Sequence, residues 1–419
     1  MTTTTVVISD RNTQRKAGPL AGCLDILSTE LRAKRYASET IRIYLAAAKA
    51  FGRWLSRHQL GIDDVSESVL QRYIANLKRL QDASGRKGRL PYTGIGLRHL
   101  LRGLRQSGLL EPQREAPPST EAERWLDGYE QHLDRVLGRA SATRQKYLYF
   151  AKQFLISYCG TGPLDWSCLR ATAVTEFVQR EAERRRGFGR KAPATAIRVM
   201  LRYLISRGEV SGGLEAAVPM VRQWKHAALP RHLSEAEIAR VLEFCANGTP
   251  LGRRNYAILL VLARLGLRAN EVAQLALDDI DWVEGHVVIR AGKTRHERRL
   301  PLPNDIGRAL IAYLKHGRPS GIHRYVFLQH RAPFNPLRTA SAITHIVQRT
   351  LARAEVEAPL GGAHLFRHSA ATHMVQRGAS FKQVADVLGH QSLQTTGIYA
   401  KLDLAALSQV ALPWQGGEQ

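Results

Sequence analysis

Residues 364–402 read HLFRHSAATHMVQRGASFKQVADVLGHQSLQTTGIYAKL. His364 and Arg367 stand at i and i+3, so one helical face carries both. Apolar residues recur at helical spacing, which predicts short helices over about 364–377, 381–388 and 392–410. A loop-like Gly-His-Gln-Ser holds His390 between the last two, and Tyr399 follows nine residues later. This end of the chain is therefore read as helical, with its reactive side chains strung along three short segments.

Working outward, GHVVIRAGKTRHERRLPL at 285–302 has β-branched residues on one side of a Gly-Lys-Thr turn, which predicts a β-hairpin with Lys293 at its exposed tip. Before it lies GLRANEV at 266–272, in which Arg268 and Glu271 are one helical turn apart. Farther upstream, Ser234-Glu-Ala-Glu237 is a capping box ahead of IARVLEFC, and a strongly apolar helix is expected through about 254–264. Another helix is expected around 338–356. The fold class is mainly α with a small β-hairpin or sheet.

The amino-terminal half carries an internal repeat. Ser38, Thr40, Tyr44, Lys49 and Phe51 recur 103 residues later as Ser141, Thr143, Tyr147, Lys152 and Phe154. Arg98, Leu101, Arg102, Leu104 and Gly108 recur 100 residues later as Arg198, Leu201, Arg202, Leu204 and Gly208. Both blocks read as helices, with the Ser and Thr suited to capping. Breaks at QREAPPST (113–120) and HAALPRHLS (226–234) divide the chain. The expected organisation is a flexible tail over 1–20, a first helical domain over 21–115, a second over 120–226 and a chemistry-bearing domain over 230–419.

Lys and Arg outnumber Asp and Glu by 61 to 36 in 419 residues, a net charge of +25, while 44% of residues are hydrophobic. That combination describes folded domains with a polyanionic partner, nucleic acid first among them, and excludes intrinsic disorder. Aromatic residues make up only 7%, which disfavours a single-strand stacking platform and favours duplex DNA gripped by its backbone. The arginines of REAERRRGFGRK at 180–191 fit a solvated loop as well as a phosphate contact. Cys23, Cys159, Cys168 and Cys245 form no C-x-x-C pair, so neither a disulfide framework nor a thiolate zinc site is expected. The apolar run at 256–267 is too short to span a bilayer, no signal-peptide segment opens the chain, and the expected location is the cytoplasm.

Arg268, Lys293, His364, Arg367, His390 and Tyr399 supply what phosphoryl transfer needs without metal or cofactor. Arginine forks match the non-bridging oxygens of a phosphodiester and stay charged. A tyrosine hydroxyl, with a reference pKa of about 10, can serve as nucleophile once cations and a histidine assist its ionisation. A lysine on a mobile tip can protonate the leaving oxygen. Taken singly, these residues have plainer readings: an Arg268–Glu271 ion pair, a solvated basic turn at Lys293, a packed aromatic at Tyr399. A metal site at His364, His368 and His373 is disfavoured, because no H-E-x-x-H pattern occurs and Arg367 would set a cation beside the metal.

Together the six residues, in order, resemble the tyrosine recombinase family of phage integrases and Xer-type resolvases, and 230–405 carries the resemblance most strongly. It implies a mixed α/β catalytic domain preceded by helical, SAM-like core-binding domains, the copy next to the catalytic domain being the better core-binding candidate. It also implies that Tyr399 forms a 3′-phosphotyrosine and frees a 5′-hydroxyl. Arg268, Arg367 and His390 would bind the phosphate, Lys293 act as general acid, His364 assist proton transfer at the tyrosine, and Glu271 buttress the site. Leu265 and Ala400 replace threonines usual in the family, at positions that supply none of the chemistry. The implied partners are double-stranded DNA and a homotetramer on paired sites, with accessory recombinases also open and no membrane. An apolar stripe of Leu404, Leu407 and Val410 on a terminal helix would link the subunits. DNA relaxation of the type IB topoisomerase kind and non-catalytic DNA binding are the alternatives.

Overall fold

The computed structural model describes residues 17–84, 90–111, 120–160, 162–185, 187–220, 232–290, 297–358 and 362–390, together with Thr396 and Tyr399. The chain forms two compact units, one of Met1–Glu111 with His226–Gln419 and one of Pro112–Lys225.

The first unit begins with a 3-10 turn, Gly18–Cys23, followed by α1 (Leu24–Ala33), α2 (Ser38–Arg57), α3 (Glu67–Ser84) and α4 (Leu90–Gln106). Leu20, Leu27, Tyr44, Phe51 and Leu101 share one apolar core. Ala17 and Leu20, within the stretch expected to be a tail, are fully buried in that core, and residues 1–16 lie outside the described residues. In the second unit, α5 (Glu121–Gln131) runs through a π-helical turn, His132–Val136, before α6 (Ser141–Tyr158), α7 (Ala171–Glu183) and α8 (Ala192–Ser206).

Repeat positions occupy corresponding places in the two bundles. Tyr44 and Tyr147, Phe51 and Phe154, Leu101 and Leu201, and Leu104 and Leu204 are all buried. The capping expected of Ser38 and Ser141 does not occur. The N-caps are Ala37 and Ala140, with no side-chain cap bond, so each serine sits one residue inside its helix. A capping box does form at Thr120 and Glu123.

The remainder of the first unit holds α9 (Glu235–Cys245), α10 (Pro250–Leu265), α11 (Ala269–Gln274), α12 (Asn304–His316), α13 (Ala340–Arg353), α14 (Ala363–Gln376) and α15 (Phe381–Leu388). Ser234 and Glu237 make the expected reciprocal cap on α9. Helix α10 starts where Thr249 accepts from the Gly252 N–H at 3.0 Å with Pro250 in the first turn, and it ends on left-handed Gly266. Residues 257–263 of α10 are all buried, which makes this helix the axis of the largest core. The hairpin gains a third strand: β1 (Ile280–Asp281), β2 (His286–Ile289) and β3 (Arg298–Pro301) form an antiparallel sheet in that order, with Val287 opposite Leu300 and Ile289 opposite Arg298. No described helix is long and apolar enough to cross a membrane.

Candidate active site

Helix α11 has Arg268 as its N-cap and Glu271 at its third position, so carboxylate and guanidinium lie together at the helix start. Glu271 accepts from the Arg268 backbone N–H at 2.8 Å and from Arg268 Nη1 at 2.9 Å. It also accepts from Arg298 Nη1 and Nη2 at 3.1 and 2.8 Å. Burial alone would raise the Glu271 pKa, but the hydrogen bonds and charge of Arg298, with those of Arg268, outweigh it and hold the carboxyl below its usual range. Arg268 Nη2 donates to the Gly389 carbonyl at 3.0 Å. The guanidinium is thus fixed from two sides by two of its five donors.

Arg367 lies on α14 and is buried, 3% exposed. Its Nη1 donates to Gly266 O at 2.8 Å and its Nη2 to Leu388 O at 2.7 Å, which ties the end of α10 to the end of α15. Both arginines therefore converge on the 388–389 turn. Burial, then the charge of Arg268, brings the Arg367 pKa down to about 10, so it remains cationic at neutral pH.

His364 opens to solvent on the same helix, and the crowding around it together with Arg367 and Arg268 lowers its pKa. His368, one turn on, stands edge-on to it with ring centroids 5.3 Å apart. Tyr399 is buried, 1% exposed, and its hydroxyl makes a 2.7 Å hydrogen bond with His368 Nδ1. The Tyr399 ring packs in a small cluster with Ala371, Val375, Val384 and Leu388. Burial raises its pKa to about 12 against the opposing charge of Arg367. His390 Nδ1 is 2.7 Å from the buried Thr396 hydroxyl, which leaves its Nε2 for other contacts. Burial, then Arg367 and Arg268, lowers His390 to about 4; burial, then His364 and Arg367, does the same for His368. Both imidazoles are neutral at pH 7.

The fold thus brings Arg268, His364, Arg367, His390 and Tyr399 to the ends of α10, α14 and α15, while Lys293 lies outside the described residues. Three residues join them that sequence reasoning did not place: Arg298, His368 and Thr396. Strand alternation offered a signal for Arg298, which shares the inward face of β3 with buried Leu300. Helical spacing offered one for His368, which precedes Ala371 and Val375 of the tyrosine's pocket by three and seven positions.

This domain is mostly helical with a three-stranded sheet, its tyrosine bonded to one histidine beside a buried arginine, and the sequence profile of the Phage integrase family matches residues 231–405. The chain belongs to that family and is a tyrosine-type site-specific recombinase. It is 37% identical over 405 residues, 96% of each chain, to a protein of Sinorhizobium fredii provisionally named integrase/recombinase y4rA. It is 34% identical over 220 residues to tyrosine recombinase XerC of Lacticaseibacillus casei, covering 51% of this chain and 71% of that one. Its fold resembles the XerH site-specific recombinase bound to palindromic difH substrate in a post-cleavage complex. That match has a TM-score of 0.52 at 19% identity and covers 95% of this chain and 98% of that one. The Tn1549 transposon integrase in complex with a circular intermediate DNA gives a TM-score of 0.53 at 15% identity, over 70% and 100% of the two chains.

Proposed function

We propose that the protein cuts and rejoins duplex DNA through a 3′-phosphotyrosine at Tyr399. The observation that carries this reading is the Tyr399 hydroxyl held 2.7 Å from an imidazole, in the pocket that also contains cationic Arg367. Arg268 and Arg367 take the non-bridging oxygens with the donors they do not spend on Glu271, Gly389, Gly266 and Leu388. His390 reaches the phosphate through Nε2, since Thr396 occupies Nδ1. Exposed His364 stands at the mouth of the site, and Lys293 protonates the departing 5′-oxygen.

In this reading the second helical unit binds core DNA, and the first helical bundle adds DNA or protein contacts. Four protomers assemble on paired sites, joined through the 403–419 segment, which lies outside the described residues. The mobile-element setting rests on relatives named as integrases. The test is incubation with a nicked suicide duplex carrying the recombination site. Covalent protein–DNA adduct followed by joined products is expected from the wild type. On a supercoiled plasmid carrying the same site, relaxation without joined products would favour the topoisomerase reading, and on either substrate binding without adduct would favour the non-catalytic one.

A further inference from the structure

We propose that His368, rather than His364, is the group that takes the proton from the Tyr399 hydroxyl when tyrosine attacks DNA. The inference rests on Tyr399 being the nucleophile. Its basis is contact: His368 Nδ1 is 2.7 Å from the hydroxyl, within the reach a general base requires, and the two rings lie 5.8 Å apart at 57°. His364 meets this pair at the His368 ring, the two imidazoles perpendicular, and is itself open to solvent.

The surrounding charges couple this step to substrate. His368 faces His364 and Arg367 from its own helix, and Tyr399 and His390 from the segment after α15. The charged residues of α15, Lys382 and Asp386, pair with each other in solvent. In the free protein burial, then His364 and Arg367, hold His368 neutral, and burial keeps Tyr399 protonated against the opposing pull of Arg367, so the hydrogen bond stores the nucleophile unionised. A phosphodiester on Arg367 and Arg268 neutralises the charge that disfavours an imidazolium, which raises the affinity of His368 for a proton when DNA is in place. In the attack the proton passes from Tyr399 Oη to His368 Nδ1 as the Oη–P bond forms. The P–O5′ bond breaks, its electron pair goes to O5′, and O5′ takes a proton from the separate acid, assigned above to Lys293. In rejoining, the 5′-hydroxyl gives its proton back to the conjugate base of that acid as O5′ attacks phosphorus, and the imidazolium returns its proton to the tyrosine oxygen as the Oη–P bond breaks.

The experiment is single-turnover adduct formation on a nicked suicide duplex, from pH 5 to 9, by wild type, His368→Asn, His368→Ala, His364→Ala and Tyr399→Phe. Duplex binding and thermal unfolding serve as controls for folding. Asparagine keeps a polar atom near the Nδ1 position but takes up no proton, so a purely positional role would be rescued by it. We expect both His368 variants to lose about 10²-fold or more at pH 7 and to recover as pH rises, because the tyrosine must then ionise unaided. His364→Ala should keep the wild-type profile shape. Near wild-type rates in His368→Asn, or a faster rate in His368→Ala, would overturn the proposal, the latter by making His368 a restraint on the tyrosine. An adduct formed by Tyr399→Phe would instead overturn the nucleophile assignment, whatever the His368 variants do.

Discussion

Glu271 accepts four hydrogen bonds on its two oxygens, three of them from arginine side chains, and Glu271→Ala removes all four together. The side chains of Glu271 and Arg298 are only 15% and 11% exposed, so truncation leaves a largely buried guanidinium without its counter-ion. The Arg298 Nε is already buried with no hydrogen-bond partner, and Arg268 and Arg367 are cations close by. Breaking a buried pair from one side costs about 3–5 kcal/mol. We expect a loss near the lower end, about 3 kcal/mol, because water can reach part of this site. Arg268 would keep only its bond to Gly389, and loss of preorganisation at one phosphate donor should slow cleavage by about 10²-fold. Urea denaturation and single-turnover adduct formation measure the two effects. Removing the orphaned charge as well, in Glu271→Ala/Arg298→Ala, should restore at least about 1 kcal/mol relative to the sum of the single losses. A Glu271→Ala protein within about 1 kcal/mol of wild type that cleaves at the wild-type rate would refute this view of the carboxylate.

Arg367→Ala should slow cleavage by about 10²-fold or more and also destabilise the fold, since the Gly266 and Leu388 carbonyls lose their buried donor; equal rates would sink the two-arginine clamp. Gly389→Ala should impair cleavage, because φ there is +63° and a Cβ would fall 2.6 Å from Arg298 Nη1, beside the carbonyl that holds Arg268; a full-rate variant would show that this turn has slack. In acid, His368 and His390 stay unprotonated down to about pH 4, whereas the unfolded chain takes up protons near pH 6.5. Stability should therefore fall as pH drops through that window, and less steeply in His368→Asn. A urea midpoint that falls equally in the variant would contradict the role given to His368.

The candidate residues other than Lys293 lie where local rules put them. His364 and Arg367 share a helical face, Arg268 follows a helix-ending glycine, and His390 follows another. The capping box at Ser234 and the pairing of β2 with β3 are equally local. What escaped notice depends on tertiary register. The His368–Tyr399 bond joins residues 31 apart, and the Arg298–Glu271 pair residues 27 apart, across segments whose rotation no pattern in the chain fixes. Strand β1 has two residues, too few for alternation to register. Helix α12 is a different case: Ile306, Ala309, Leu310 and Tyr313 follow the helical period and are all buried, but no reactive residue draws the eye to it. The capping misassigned to Ser38 and Ser141 reflects the one-residue ambiguity of helix starts.

The most direct measurement is the position of the covalent bond to DNA. Adduct trapped on a suicide duplex, digested with nuclease and trypsin and analysed by mass spectrometry, should carry its nucleotide on the peptide spanning 383–401, whose only tyrosine is Tyr399. Tyr399→Phe should bind the same duplex and give no adduct. A nucleotide on any other peptide, or an adduct that survives in Tyr399→Phe, would contradict the assignment of Tyr399 as the nucleophile.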